Sequence, residues 1–157
     1  MKPCGFLGGA ISGPSLRPRY FWSMASDPSN PSALKTVLVV EDNELNLRLL
    51  SDLLEYHGYT VLTTRLGEAA LGLARQHRPD VILMDIQLPD ISGIEATRRI
   101  KADEKTRTIP IIAVTAFAMP GDEANIIGSG CDAYLAKPFN VRKFLKLVDQ
   151  WATRNQP

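Results

Sequence analysis

Residues 80–93 read Asp-Val-Ile-Leu-Met-Asp-Ile-Gln-Leu-Pro-Asp-Ile-Ser-Gly. The apolar run 81–84 is short and does not alternate, which is the pattern of a strand buried on both faces. It stops at Asp85, and a loop with Pro89 and Gly93 follows. Three further runs end in the same way. Residues 37–40 are Val-Leu-Val-Val and end at Glu41-Asp42. The run 109–114 ends at Thr115, and the short run 133–135 is closed by Ala136-Lys137-Pro138. In a parallel sheet all these ends emerge along one edge, where open α/β sheets hold their ligands.

The intervening segments supply the helices. Asn43 suits the N-cap of a helix over 44–57, with Leu47, Leu50 and Leu54 on one face and Gly58 as a stop. Residues 67–77 place Ala70, Leu73 and Ala74 at helical spacing, and Pro79 limits that helix. Helices are also expected over 93–102 and, more weakly, 121–128. The last has Val141, Phe144, Leu145, Val148 and Trp151 as an apolar stripe. Residues 59–63 form a second strand whose Thr60 and Thr63, with Thr64 beyond, suit a sheet edge. Alternating strands and helices imply right-handed crossovers and a parallel sheet covered on both faces. The expected fold is therefore a flavodoxin-like, doubly wound α/β sheet of five parallel strands in the order 2-1-3-4-5.

Composition bounds the rest. The chain has 157 residues, which suits one ordered domain, and 45% are hydrophobic, enough for a core. The formal net charge of +1 argues against a field that draws nucleic acid or membrane. Cys4 and Cys131 are far apart, which is no disulfide framework, and a reducing cytoplasm fits. No apolar stretch approaches the roughly 20 residues of a membrane span. Residues 1–33 differ: 15 of them are Pro, Gly or Ser, and only Lys2, Arg17, Arg19 and Asp27 are charged. This segment is expected to be a disordered extension, with the ordered domain over 34–154. Lys2 and the run 6–11 resemble the start of a signal peptide, but the run is short and holds two glycines. Met24 is an alternative translation start.

The strand ends bring Glu41, Asp42 and Asp85 together. Two unit charges 4 Å apart repel by roughly 4 kcal/mol at an effective dielectric near 20, so three carboxylates require a cation. Oxygen ligands suit Mg²⁺, which takes one or two carboxylates directly. Asp42 and Asp85 are expected to touch it, with Glu41 acting through water and the Gln87 backbone carbonyl as a further ligand. Mg²⁺ beside a carboxylate points to phosphoryl transfer, with Asp85 as the acceptor. The Lys137 ammonium and the Thr115 hydroxyl would then meet phosphoryl oxygens. Each feature alone has a plainer reading. An acidic pair can merely start a helix, an Asp before a loop can merely make a turn, and Lys-Pro can be a loop. Four strand ends in one order are what select the pocket.

These segments, Val-Leu-Val-Val-Glu-Asp-Asn, Asp-Val-Ile-Leu-Met-Asp-Ile-Gln-Leu-Pro-Asp-Ile-Ser-Gly, Ile-Ile-Ala-Val-Thr-Ala and Ala-Tyr-Leu-Ala-Lys-Pro-Phe, resemble the receiver domain of two-component response regulators over about residues 35–152. The resemblance implies that Asp85 takes phosphate from a histidine kinase or histidine phosphotransfer protein. It implies Mg²⁺ at Glu41, Asp42 and Asp85, and phosphate reading by Thr115 and Lys137. Pro89 and Gly93 match the family's loop, and a cis Lys137–Pro138 peptide is implied. Glu41 in place of a second Asp is a variant within the pattern. Gln87 and Phe117, at positions that tune dephosphorylation, do not indicate a rate.

Only six residues follow Trp151, so a stand-alone receiver without a DNA-binding domain is expected, a monomer or weak dimer. Ala-Phe-Ala-Met-Pro-Gly-Asp at 116–122 resembles DivK-type regulators of bacterial cell division and polarity, and also receivers of hybrid kinases. The family's mechanism implies that Tyr134 turns inward as Thr115 moves. That biases the face of the fourth helix, fifth strand and fifth helix toward a downstream protein. Phe117, Met119 and Tyr134 are candidates for an apolar patch there, with a half-buried strand tyrosine as the plainer reading of Tyr134. His57 and His77 are read as helix-end residues and Cys131 as a small core residue. Three rival functions fit the sequence less well. An Asp-nucleophile phosphohydrolase needs Asp-x-Asp, which is missing at both carboxylate sites. A nucleotide- or flavin-binding module needs glycine-rich motifs that are also missing. A phosphate-independent adaptor is disfavoured by the intact pocket positions.

Overall fold

The computed structural model describes residues 35–116 and 119–154. The extension expected over 1–33 and the side chain of Phe117 lie outside the described residues. Along the chain, β1 (Thr36–Val40), α1 (Glu44–Tyr56), β2 (Thr60–Thr64), α2 (Gly67–His77) and β3 (Val81–Met84) come first. They are followed by α3 (Gly93–Ala102), β4 (Ile111–Thr115), α4 (Asp122–Gly128), β5 (Ala133–Ala136) and α5 (Val141–Thr153). All strand pairings are parallel, and the sheet order is β2-β1-β3-β4-β5, as the alternation predicts.

Local chemistry starts the helices. Asn43 accepts the Asn46 N–H at 3.0 Å and opens α1. Ser92 accepts the Glu95 N–H at 3.2 Å and opens α3. Asn140 accepts the Arg142 N–H at 2.8 Å and opens α5. Each cap satisfies donors that the first helical turn leaves without partners.

The apolar runs divide by residue parity. Val37, Val39, Val81, Leu83, Ile112 and Val114 face Leu50 and Leu54 of α1 and Phe144 and Val148 of α5. Leu38, Val40, Ile82, Met84 and Ala113 face Ala70 and Ala74 of α2, Ile100 of α3 and Ile126 of α4. Burying each large aliphatic side chain contributes about 1.5–3 kcal/mol, so the two layers hold the sheet rigid beneath its edge. Cys131 lies in the second layer, 4% exposed, as a small core residue.

Two expectations are corrected. β4 begins at Ile111, not 109, because the Ile109 N–H turns back to Thr106 O at 3.0 Å and Pro110 has no N–H to donate. Val141 is 48% exposed at the first turn of α5, so the buried stripe begins at Phe144. β2 is the edge strand its threonines suggested, with Thr60 and Thr63 exposed. At the opposite end of the strands, Lys35 is buried and its Nζ donates to Ala152 O at 3.4 Å, tying the start of β1 to the end of α5. Among the described residues no helix is long and apolar enough to cross a membrane.

Candidate functional site

β1 and β3 are neighbours in register, with Val40 opposite Met84. The next residues therefore leave the sheet side by side. Asp85 N–H donates to Val40 O at 2.9 Å, and Glu41 N–H donates to Thr64 O at 3.1 Å. Carboxylate oxygens of Glu41, Asp42 and Asp85 lie within 4.8 Å of one another. Glu41 is 2% exposed and Asp85 7%, while Asp42 is half-buried. The Asn43 N–H donates to Glu41 Oε1 at 3.1 Å, and the Gln87 N–H donates to Asp85 Oδ1 at 3.2 Å.

Lys137 arrives from the end of β5. Its Nζ lies 2.5 Å from Glu41 Oε2 and 3.6 Å from Asp85 Oδ2. The Lys137 N–H donates to Thr115 O at 2.8 Å, which extends the β4–β5 pairing past the strands. The Lys137–Pro138 peptide is cis, as the family resemblance implied. These side chains line a cleft of about 460 Å³ together with Asn43, Asn46, Arg65, Gln87 and Ala116.

Burial, and next the charge of Glu41, push the Asp85 carboxyl up to about 6; Lys137 and the Gln87 N–H pull the other way. The single ammonium leaves the crowding of three carboxylates incompletely relieved. An all-oxygen donor set of this size fits a hard divalent cation such as Mg²⁺.

Gly93 is required by close approach. A Cβ there would sit 2.0 Å from Asp85 O and 2.9 Å from Ile86 Cα. The Gly93 N–H donates to Ile86 O at 2.9 Å, closing the loop that carries Gln87 and the exposed Pro89.

The structure thus brings together Glu41, Asp42, Asp85, Gln87 and Lys137. Thr115 stands differently. It is fully buried as the last residue of β4, and its neighbour Ala116 forms the cleft wall. Tyr134 is half-buried on β5, packed against the core layer beneath α2, α3 and α4, and does not line the cleft. Met119 is 67% exposed. His57 and His77 sit at the ends of α1 and α2, outside the acidic cluster. Several cleft residues escaped the sequence reading, Glu44 and Asn46 among them; the charged one bonded to the acidic cluster is Arg65, whose Nε donates to Asp42 O at 3.0 Å. Its signal was available, since β2 ends on the same sheet edge as β1.

The sequence model of the response regulator receiver domain matches residues 37–149. The polar-differentiation response regulator DivK of Brucella anthropi is 55% identical over 117 residues, covering 74% of this chain and 95% of that protein. DivK of Brucella abortus (strain 2308) is similar to the same extent. Among solved structures, the receiver domain of sensor histidine kinase PA1611 from Pseudomonas aeruginosa PAO1 has a TM-score of 0.72 and 40% identity. It covers 76% of this chain and 98% of its own, and it holds a magnesium ion in its active site cleft. Chemotaxis protein CheY4 of Vibrio cholerae follows with a TM-score of 0.70 and 30% identity, covering 75% and 98%.

Proposed function

Because the chain belongs to the response regulator receiver domain family, we propose that Asp85 accepts a phosphoryl group from a histidine kinase or histidine phosphotransfer protein. The observation that carries this reading is the convergence of Glu41, Asp42, Asp85 and Lys137 in one cleft at the strand ends. In the transfer, an Asp85 Oδ attacks phosphorus in line with the donor nitrogen. The P–N bond breaks, its electron pair stays on the imidazole, and an aspartyl phosphate forms. Glu41, Asp42, Asp85 and the Gln87 carbonyl would hold Mg²⁺, which when bound neutralises charge on the phosphoryl oxygens. Lys137 covers another oxygen and keeps Glu41 from repelling the incoming anion. The chain contributes orientation and charge; it is the kinase's substrate, not an enzyme acting on others.

In this reading 34–154 is the receiver unit, placed in the cytoplasm as a monomer or weak dimer. Phosphorylation is read by Thr115 and Tyr134 and expressed on the α4–β5–α5 face, where a protein partner binds. The similarity to DivK supports a role in cell polarity or division. The test is incubation with acetyl phosphate and Mg²⁺, followed by intact mass. A gain of one phosphoryl group that is lost in Asp85→Asn supports the assignment. A stable gain in Asp85→Asn refutes it.

A further inference from the structure

α2 begins without a cap of its own. Leu66 precedes it and offers no side-chain acceptor. The missing acceptors come from elsewhere in the chain. Asp90, in the loop after β3, accepts the Gly67 N–H on Oδ1 at 2.9 Å and the Glu68 N–H on Oδ2 at 2.8 Å. Both carboxylate oxygens are thus spent on another element's first turn, where the helix dipole also favours negative charge. The backbone bonds hold this carboxyl at about 2, well below its ordinary range.

A second observation marks the same junction. A Cβ on Gly67 would come within 2.8 Å of Ile91 Cγ1, 3.1 Å of Leu88 Cδ1 and 3.3 Å of Ile91 O. The loop is therefore seated directly on the start of α2, with a glycine making the room. At its other end the same loop is bound to the cleft. The Gln87 N–H holds Asp85 Oδ1 at 3.2 Å, and the Gly93 N–H closes on Ile86 O at 2.9 Å.

We propose that Asp90 is a positioning residue for the cation site: by pinning its loop to α2 it fixes where the Gln87 backbone faces the acidic cluster. This inference rests on the reading of the cleft as a Mg²⁺ site. Asp90 touches neither cation nor phosphoryl group and acts only through the loop. Groups that orient metal ligands from outside typically account for about 10–100-fold in metal affinity. Asp90 is itself exposed, which gives the lower part of that range, about tenfold.

The experiment titrates MgCl₂ alone into the full chain by isothermal calorimetry, for wild type, Asp90→Ala, Asp90→Asn and Gly67→Ala. Asp90→Ala is expected to weaken Mg²⁺ binding about tenfold. Asp90→Asn keeps one good acceptor and is expected to recover part of the loss. Gly67→Ala wedges the junction from the other side and is expected to weaken binding as well. Should Asp90→Ala fail to fold, Asp90→Asn and Gly67→Ala carry the test. Wild-type Mg²⁺ affinity in the folded variants, even with a lowered melting temperature, reduces Asp90 to a helix cap and overturns the proposal. Absence of Mg²⁺ binding by the wild type is a separate result, which refutes the reading of the cleft itself.

Discussion

Lys137 Nζ is closer to Glu41 Oε2, at 2.5 Å, than to Asp85 Oδ2, at 3.6 Å. The ammonium is thus already paired with the more deeply buried acid, while the expected acceptor keeps an oxygen oriented toward it. Removing it strands two buried carboxylates at once. Lys137→Met is expected to slow labelling by acetyl phosphate about 10²-fold at saturating Mg²⁺, the scale for loss of one preorganised charge at the reacting centre. Lys137→Arg should restore only part of the rate, because a planar fork does not replace a compact ammonium beside two acids. Wild-type labelling rates in Lys137→Met would refute the role.

Asp85 supplies a pH prediction. Its carboxyl is raised from 3.8 to about 6 in the fold, so the protonated form is the one the folded state prefers. In the metal-free protein this contributes stability at low pH that is lost as pH rises from the unfolded value through about 6. Asp85→Asn removes the ionisation. In chelator it should be more stable than wild type by about 1–3 kcal/mol at neutral pH. That advantage should shrink toward acid, as followed by thermal denaturation at several pH values. By the same linkage, wild-type Mg²⁺ affinity should fall as pH drops through about 6. A pH-independent difference between the two proteins would contradict this.

Gly93 has no room to change. Its Cβ position lies 2.0 Å from Asp85 O and 2.8 Å from Asp85 C, and both are backbone atoms. Gly93→Ala is expected to cost about 3 kcal/mol in urea denaturation and to depress Mg²⁺ binding, because the backbone that must move is that of the acceptor. Unchanged stability would show that the loop has slack.

Tyr134 is the test of signal output. It is half-buried on β5 and is not among the residues that line the cleft. Tyr134→Ala should leave phosphate acceptance from acetyl phosphate intact. It should abolish the amide chemical-shift changes that phosphorylation causes in α4 and α5 of the wild type. Loss of labelling in this variant would place Tyr134 in the acceptor chemistry instead.

Much of this molecule was legible because its central strands are continuous apolar runs with charged ends. Residues 37–40 and 81–84 need cover on both faces, and that requirement set the layers, the order and the shared edge. Glu41, Asp42, Asp85 and Lys137 were legible as strand-end residues. What stayed hidden depends on contacts between distant segments. Asp90 reads as a turn residue, and nothing nearby in sequence indicates that it caps a helix starting at Gly67. Arg65 was within reach, since the order 2-1 already put the end of β2 beside that of β1, but nothing in the sequence indicates that its Nε bonds Asp42 O. Val141 fits the helical stripe, yet it is 48% exposed at the first turn of α5. Thr115 lies, buried, at the end of β4 where the sequence put it.

The tie between Lys35 and Ala152 sets how the molecule tolerates engineering. Both ends of the described unit leave from the rim opposite the acids, so a fluorophore or affinity tag joined directly at residue 35 or 154 starts on the side away from the chemistry. The same closeness suits circular permutation, in which a short glycine-rich bridge joins the old ends and new ones are cut in an exposed turn.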